Sequence, residues 1–306
     1  PRYHGQYSGN VEQVGLDFVT LDLGELQEAL GRFEAGESDA LDVTYAPPSE
    51  IKRIRERFPG QYLAVPQFFT SYVGFVTARP PFDSELVRRA LVLATDRETL
   101  ADVQLQGQAS PALGGFIPPT MPGHSPGIGL AYDVERARDL LAQAGYAGGA
   151  GFPIVELMTQ VDPLSAVAGE FLRAQWQENL GIETAPQAVE FQAYVERIAN
   201  DPPHTFVWGW VADYPDPDNF LRVGDTRGNT RWQNEGYDRL VQKARQVPHQ
   251  EERIRLYREA DRMLIEGASV MPLMYLRAHF LVKPWVSKYP VSALRSWFWK
   301  DVIIEP

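Results

Sequence analysis

Between residues 154 and 210 the chain alternates two hydrophobic periods, and this rhythm constrains the fold more than any other feature. Residues 154–158 read as a strand and 165–180 as a helix ended by Gly181. Residues 182–189 read as a second strand broken by Pro186, 191–199 as a second helix and 204–210 as a third strand. Strand–helix–strand–helix–strand at this spacing implies an α/β fold with a mostly parallel sheet and right-handed crossovers. Such sheets bind ligands beyond the carboxyl ends of their strands. Topology alone therefore nominates the loop after the third strand, Trp210-Val211-Ala212-Asp213-Tyr214-Pro215-Asp216-Pro217-Asp218.

The flanking sequence supplies further elements. The β-formers of 14–19 favour a strand. Leu26, Ala29, Leu30 and Phe33 fall at helical spacing, and Gly36 stops that helix. Residues 40–43 read as a short strand. Pro47-Pro48 is a break, with Ser49 expected as the N-cap of a basic helix through Arg57. Residues 63–77, rich in Val, Phe and Tyr, read as one or two strands, and Pro80-Pro81 ends the block. A helix over 84–94 puts Leu86, Ala90, Leu91 and Ala94 on one face. Asp96 is expected to cap a further helix to Val103. The Gly- and Pro-dense stretch 107–129 predicts loop. Asp133 is expected to cap a helix with Val134, Ala137, Leu140, Leu141 and Ala144 inward and Gly145 at C′. Two helices follow, 237–245 and 251–266, the second with Leu256, Ala260, Met263 and Leu264 inward. Residues 270–282 read as a strand ended by Pro284-Trp285-Val286. Trp285, Trp297 and Trp299 read as packing residues.

At 306 residues the chain has length for about two domains. Its net charge of −11 argues against a surface that coats nucleic acid, which needs clustered Lys and Arg. With no cysteine, disulfides, thiolate zinc sites and a Cys nucleophile are excluded. No run approaches 18 apolar residues, so no membrane span is expected. The opening Pro1-Arg2-Tyr3-His4 is no signal peptide, which is expected to have been cleaved or to belong to a longer chain of which this is a piece.

Several motifs fail on their chemistry. Gly123-His124-Ser125-Pro126-Gly127 matches G-x-S-x-G, but that elbow uses the backbone N–H after the serine, and Pro126 has none. Gly127-x-Gly129 and Gly148-Gly149-x-Gly151 complete no phosphate-binding pattern. The five histidines lack metal-ligand spacing, so no metal and no cofactor is expected. No acid/base pair or nucleophile is assembled, and an enzyme is not expected. Asp213, Asp216 and Asp218 admit three readings: a calcium site, a solvated acidic turn, or a carboxylate that anchors a ligand. Trp208, Trp210 and Tyr214 surround them, as strand-end packing or as an amphipathic pocket wall. Strand alternation puts Trp208 and Trp210 on the same face.

Five motifs, in order, resemble the extracellular solute-binding proteins of family 5, the binding proteins of peptide/oligopeptide/nickel-type ABC importers. They are the segment from Asn10-Val11 to Ala35-Gly36-Glu37-Ser38-Asp39; Pro80-Pro81-Phe82-Asp83 with Val87-Arg88-Arg89-Ala90-Leu91 and Ala94-Thr95-Asp96-Arg97; Ala137 to Tyr146; Trp210 to Pro217; and Val282-Lys283-Pro284-Trp285-Val286. The resemblance implies a two-lobed, class II periplasmic-binding-protein fold. Here it implies a C-terminal fragment: part of a first lobe (1–81), a complete second lobe (82–277) and a return segment (278–306). It implies a monomeric importer component that captures a peptide or peptide-like small molecule between its lobes and delivers it to an inner-membrane ABC permease. The setting would be periplasmic or extracytoplasmic, with the full-length protein free or lipid-anchored. The ligand-sensing domain of a transcriptional regulator shares the fold and is the alternative. By resemblance Asp213 pairs with the ligand's α-ammonium group, Trp210 walls a side-chain pocket, Tyr72 lies near the peptide backbone, and Tyr214 and Trp208 complete the site. Gly74 stands where the oligopeptide branch carries a glutamate and Trp208 where it carries an arginine. Both departures imply a less charged, more aromatic cleft.

Overall fold

The computed structural model describes residues 8–18, 23–224, 226–294 and 298–305. In chain order the elements are α1 (Leu23–Glu34), β1 (Ala40–Asp42), α2 (Pro48–Arg57), β2 (Tyr62–Phe75), α3 (Glu85–Leu93), α4 (Arg97–Thr99, continued by a π-helical turn Leu100–Gln104), β3 (Ala109–Pro111), α5 (Val134–Gln143), β4 (Val155–Gln160), α6 (Pro163–Leu180), β5 (Thr184–Val189), α7 (Phe191–Asn200), β6 (Thr205–Val211), a π-helical turn Asn219–Val223, α8 (Thr226–Thr230), α9 (Glu235–Gln246), α10 (Gln250–Glu266), β7 (Val270–Val282), β8 (Val286–Ser287) and β9 (Ile303–Ile304). The chain separates into two compact units, Pro1–Gln67 with Arg277–Pro306, and Phe68–Leu276. The division expected after residue 81 falls later in the chain than the observed one.

In the first unit α1 turns Leu26, Ala29, Leu30 and Phe33 inward, as their spacing predicts, against Ile51, Ile54 and Phe58. β1 pairs antiparallel with the end of β7, Ala40 opposite Val282. Two expectations fail here. Residues 14–18 form no strand, because no strand among the described residues takes up their backbone groups; Leu16 and Phe18 are exposed, and Val19 lies outside the described residues. Ser49 is not the cap of α2: the helix begins one residue earlier, with Pro48 at its first position, where a missing N–H costs nothing. Trp285 donates to Asp39 at 2.8 Å and Trp299 meets Tyr289 edge-on. Trp297 lies outside the described residues.

The second unit carries the rhythm read from the sequence. β4 pairs parallel with both β5 and β6, and β6 pairs antiparallel with β2, so the sheet is mixed. β3, short and unanticipated within the loop 107–129, pairs with β7. Pro186 does not break β5, because β5 is an edge strand and a missing donor is tolerated there. Asp96, Asp133 and Asp162 cap α4, α5 and α6 through their side chains, and Gly181 ends α6 at φ +71°. The buried Trp176 of α6 meets Phe75, while Tyr194 of α7 stacks on Trp208. Phe75 and Trp208 point to opposite faces, so the two crossover helices cover both sides of the sheet. In α3, Val87 is fully buried and Leu86 only half-buried, a small rotation of the expected face.

Two arginines of the second motif are structural clamps. Arg88 donates to the carbonyls of Phe82 (2.7 Å) and Gly267 (2.8 Å). Arg97 donates to Ala112 (2.8 Å) and to Leu130, holding both ends of the Gly- and Pro-rich loop. Burial pushes both guanidinium pKa values down from their ordinary value, yet the carbonyl acceptors pay part of that desolvation. Replacing Arg97 by Met strands those buried carbonyls, and chemical denaturation is expected to show a loss of about 3 kcal/mol.

Candidate functional site

The site is built where β6 ends. In the β2–β6 ladder Thr70 faces Trp210, Tyr72 faces Trp208 and Gly74 faces Phe206. Residues directly opposite share a face, so all six lie together and the two tryptophans do share a side, as alternation predicts. Trp208 is half-buried and stacks on Tyr194 at 4.7 Å and on Phe191 at 6.3 Å. Trp210, also half-buried, donates its indole N–H to Asn219 Oδ1 at 2.8 Å.

Beyond β6 the three carboxylates, indistinguishable in sequence, are sorted by their partners. Asp216 accepts two hydrogen bonds from the Arg253 fork, at 2.6 and 2.7 Å. Asp218, buried, accepts from Arg222 Nε and from the hydroxyls of Tyr214 and Tyr257, the last two at 2.9 Å. Burial alone would raise the Asp218 carboxyl. The hydrogen bonds from Arg222, Tyr214 and Tyr257 outweigh it and hold the group below its ordinary value. Asp213 differs. It is exposed, and its Oδ2 accepts from the neutral amide of Asn219 at 3.1 Å. Among the described residues no Lys or Arg forms an ion pair with it. The calcium reading loses two of its three candidates to arginines, and among the described residues no group of three acidic or histidine side chains is placed to hold a metal.

The remaining sequence candidates are placed as follows. Tyr214, 37% exposed, turns its hydroxyl to Asp218, away from the role of a free wall. Burial and that carboxylate raise its phenol pKa. Tyr72 is fully buried, edge-on to Phe116, and accepts a hydrogen bond from Asn229 at 3.2 Å. Gly74 is buried, and a Cβ there would overlap the Phe206 ring. The glycine is thus the cross-strand complement of an aromatic. Gly74→Glu is expected to destabilise the protein by roughly 2–4 kcal/mol, since both the ring and a buried charge must be accommodated; thermal melting checks it. Ser125 and His124 form no nucleophile pair: His124 Nδ1 pairs with the Ile117 carbonyl at 2.7 Å.

Sequence reasoning passed over Phe191 and Asn219. Phe191, 61% exposed, opens α7 just past the carboxyl end of β5. The strand-end rule that nominated the Asp213 loop also points to this position. Val161, just past β4, and Val211, ending β6, are exposed too. The carboxyl ends of the three parallel strands thus present apolar side chains, with the Asp213 carboxylate just beyond β6.

The family model for "Bacterial extracellular solute-binding proteins, family 5 Middle" matches residues 1–231. The chain belongs to the family 5 solute-binding proteins. This is a family of binding proteins and not of enzymes. A probable deoxycholate-binding periplasmic protein of Escherichia coli K12 is 30% identical over 305 residues, covering 95% of this chain and 54% of that protein. Di/tripeptide-binding protein 3 of Pseudomonas aeruginosa UCBPP-PA14 is 28% identical, covering 85% of this chain and 50% of its own length. Among solved structures, a periplasmic oligopeptide-binding protein of Borrelia burgdorferi superposes with TM-score 0.79 at 24% identity, over 90% of this chain and 56% of that one. The α/β, class II periplasmic-binding-protein fold is therefore established. This family 5 chain spans about half the length of the curated relatives it matches. No helix among the described residues is long and apolar enough to cross a membrane.

Proposed function

We propose that this family 5 chain forms the ligand-holding part of the binding component of an ABC importer, and that it captures a peptide or peptide-like cation outside the cytoplasm for a membrane permease. The observation that carries the reading is Asp213: an exposed carboxylate, oriented by a neutral amide, with no ion-pair partner among the described residues. A ligand α-ammonium group supplies the missing charge, and a charge-assisted hydrogen bond of that kind is worth roughly 1.5–3 kcal/mol. The same feature disfavours a ligand that leads with a carboxylate, such as a bile acid, because like charges repel. Phe191, Trp208 and Trp210 offer apolar area for the neighbouring side chain, with Tyr72 and Gly74 on the adjacent strand of the same face.

Competition dialysis of the whole protein against an equimolar dipeptide pool, and against the same pool N-acetylated, tests this. Retention of the free-amine pool and at least tenfold weaker retention of the acetylated pool is the expected result. Equal retention of both pools, or retention of neither, would overturn it.

A further inference from the structure

We infer that Asn219 is the positioning residue that locks Asp213 and Trp210 into one recognition unit and thereby sets selectivity for a cationic ligand group. The inference rests on Asp213 being the ligand anchor.

Asn219 is fully buried, and its side-chain amide is engaged at both ends. Oδ1 accepts from the Trp210 indole at 2.8 Å and from the Asp213 backbone N–H at 3.2 Å. Nδ2 donates to Asp213 Oδ2 at 3.1 Å. Its backbone is fixed as well, donating to the Asp216 carbonyl at 3.0 Å and accepting from Gly224 at 2.9 Å. One planar group thus fixes the wall, the loop backbone and the carboxylate together.

The residue type matters. An amide presents an acceptor and a donor in one rigid plane. Aspartate would lose the donor and set a second negative charge against Asp213. Serine is too short to reach three partners. Lysine or arginine would hold the carboxylate but neutralise it, as Arg253 and Arg222 do for Asp216 and Asp218. Asparagine orients Asp213 and leaves its charge available. The neighbouring carboxylates are closed by their own arginines, so the loop exposes a single directed negative charge.

A double-mutant cycle tests this in the whole protein. Dialysis against the equimolar dipeptide pool is run on the unaltered protein, Asp213→Asn, Asn219→Ala and the double variant, with Asn219→Ser as a milder substitution and thermal melting to establish folding. Asn219→Ala is expected to weaken retention roughly tenfold when Asp213 is present and less than about twofold in the Asp213→Asn background. Asn219→Ser is expected to fall between. Equal losses in both backgrounds would mean that Asn219 only packs, and no loss would mean that it does not position the carboxylate; either overturns the inference. If Asp213→Asn alone retains the pool as well as the unaltered protein, the anchor reading itself fails, and with it the inference.

Discussion

Asp213→Asn in the whole protein is expected to lower affinity for peptides with a free α-amino group by roughly 10- to 150-fold, the equivalent of one charge-assisted hydrogen bond. The substitution keeps the shape and the backbone contacts of the loop. It also keeps an acceptor for the Asn219 amide, so thermal stability should change by less than about 1 kcal/mol. The discrimination comes from charge alone. Asparagine still accepts a hydrogen bond from an ammonium group but no longer attracts it, and N-acetylated peptides should bind both forms about equally. Calorimetric titration with matched free and acetylated peptides reads this directly. A uniform loss on both would place Asp213 in loop structure instead of recognition.

The second large effect concerns Asp261, in the middle of α10. Its side chain is fully buried. Oδ1 accepts from the Phe116 backbone N–H at 2.7 Å, and no hydrogen-bond partner among the described residues reaches Oδ2. A Cβ at Gly115 would overlap that oxygen, so the loop closes tightly over the carboxyl. Burial pushes its pKa up to about 7, against the opposing pull of the Phe116 and Ile117 N–H groups. The titratable groups facing it from packed elements are Tyr237 of α9 and Tyr275 of β7. In the unfolded chain the carboxyl loses its proton near 3.8, whereas the native protein keeps it until about 7. Between those values the native state binds more protons, so stability falls as pH rises. The stabilising contribution is complete below pH 3.8 and lost above 7, a swing of about 4 kcal/mol at about 1.36 kcal/mol per unit. Asp261→Asn cannot titrate. Denaturation at pH 5 and pH 8 should therefore show the variant gaining about 3 kcal/mol on the unaltered protein between the two. Parallel profiles would mean that the carboxyl is solvated in the native state.

The parallel β4–α6–β5–α7–β6 core was legible because its signals are local: apolar period, Asp caps, and glycine at the ends of helices. The same rhythm located the candidate site, since the strand-end rule depends on chain order alone. What escaped the sequence depends on partners distant along the chain. Residues 14–18 have the composition of a strand, but among the described residues no strand pairs with them. Asp213, Asp216 and Asp218 look alike until Arg253, 37 residues from Asp216, selects its carboxylate. Arg88 and Arg97 stand in the second of the five motifs, yet they hold backbone carbonyls, a role that charge patterning does not reveal. Asn219 was passed over because its three contacts appear only once Trp210 and Asp213 are folded against it. Gly74, read as a lost glutamate, is explained by Phe206 across the ladder.

Asp213 is proposed to hold a ligand cation. Native mass spectrometry of the whole protein, purified without denaturation beside its Asp213→Asn form, tests it most directly. A retained ligand whose mass and fragmentation reveal a free amine is expected on the unaltered protein, depleted at least tenfold on the variant. A retained ligand without a basic nitrogen, or equal occupancy of the two forms, would contradict it.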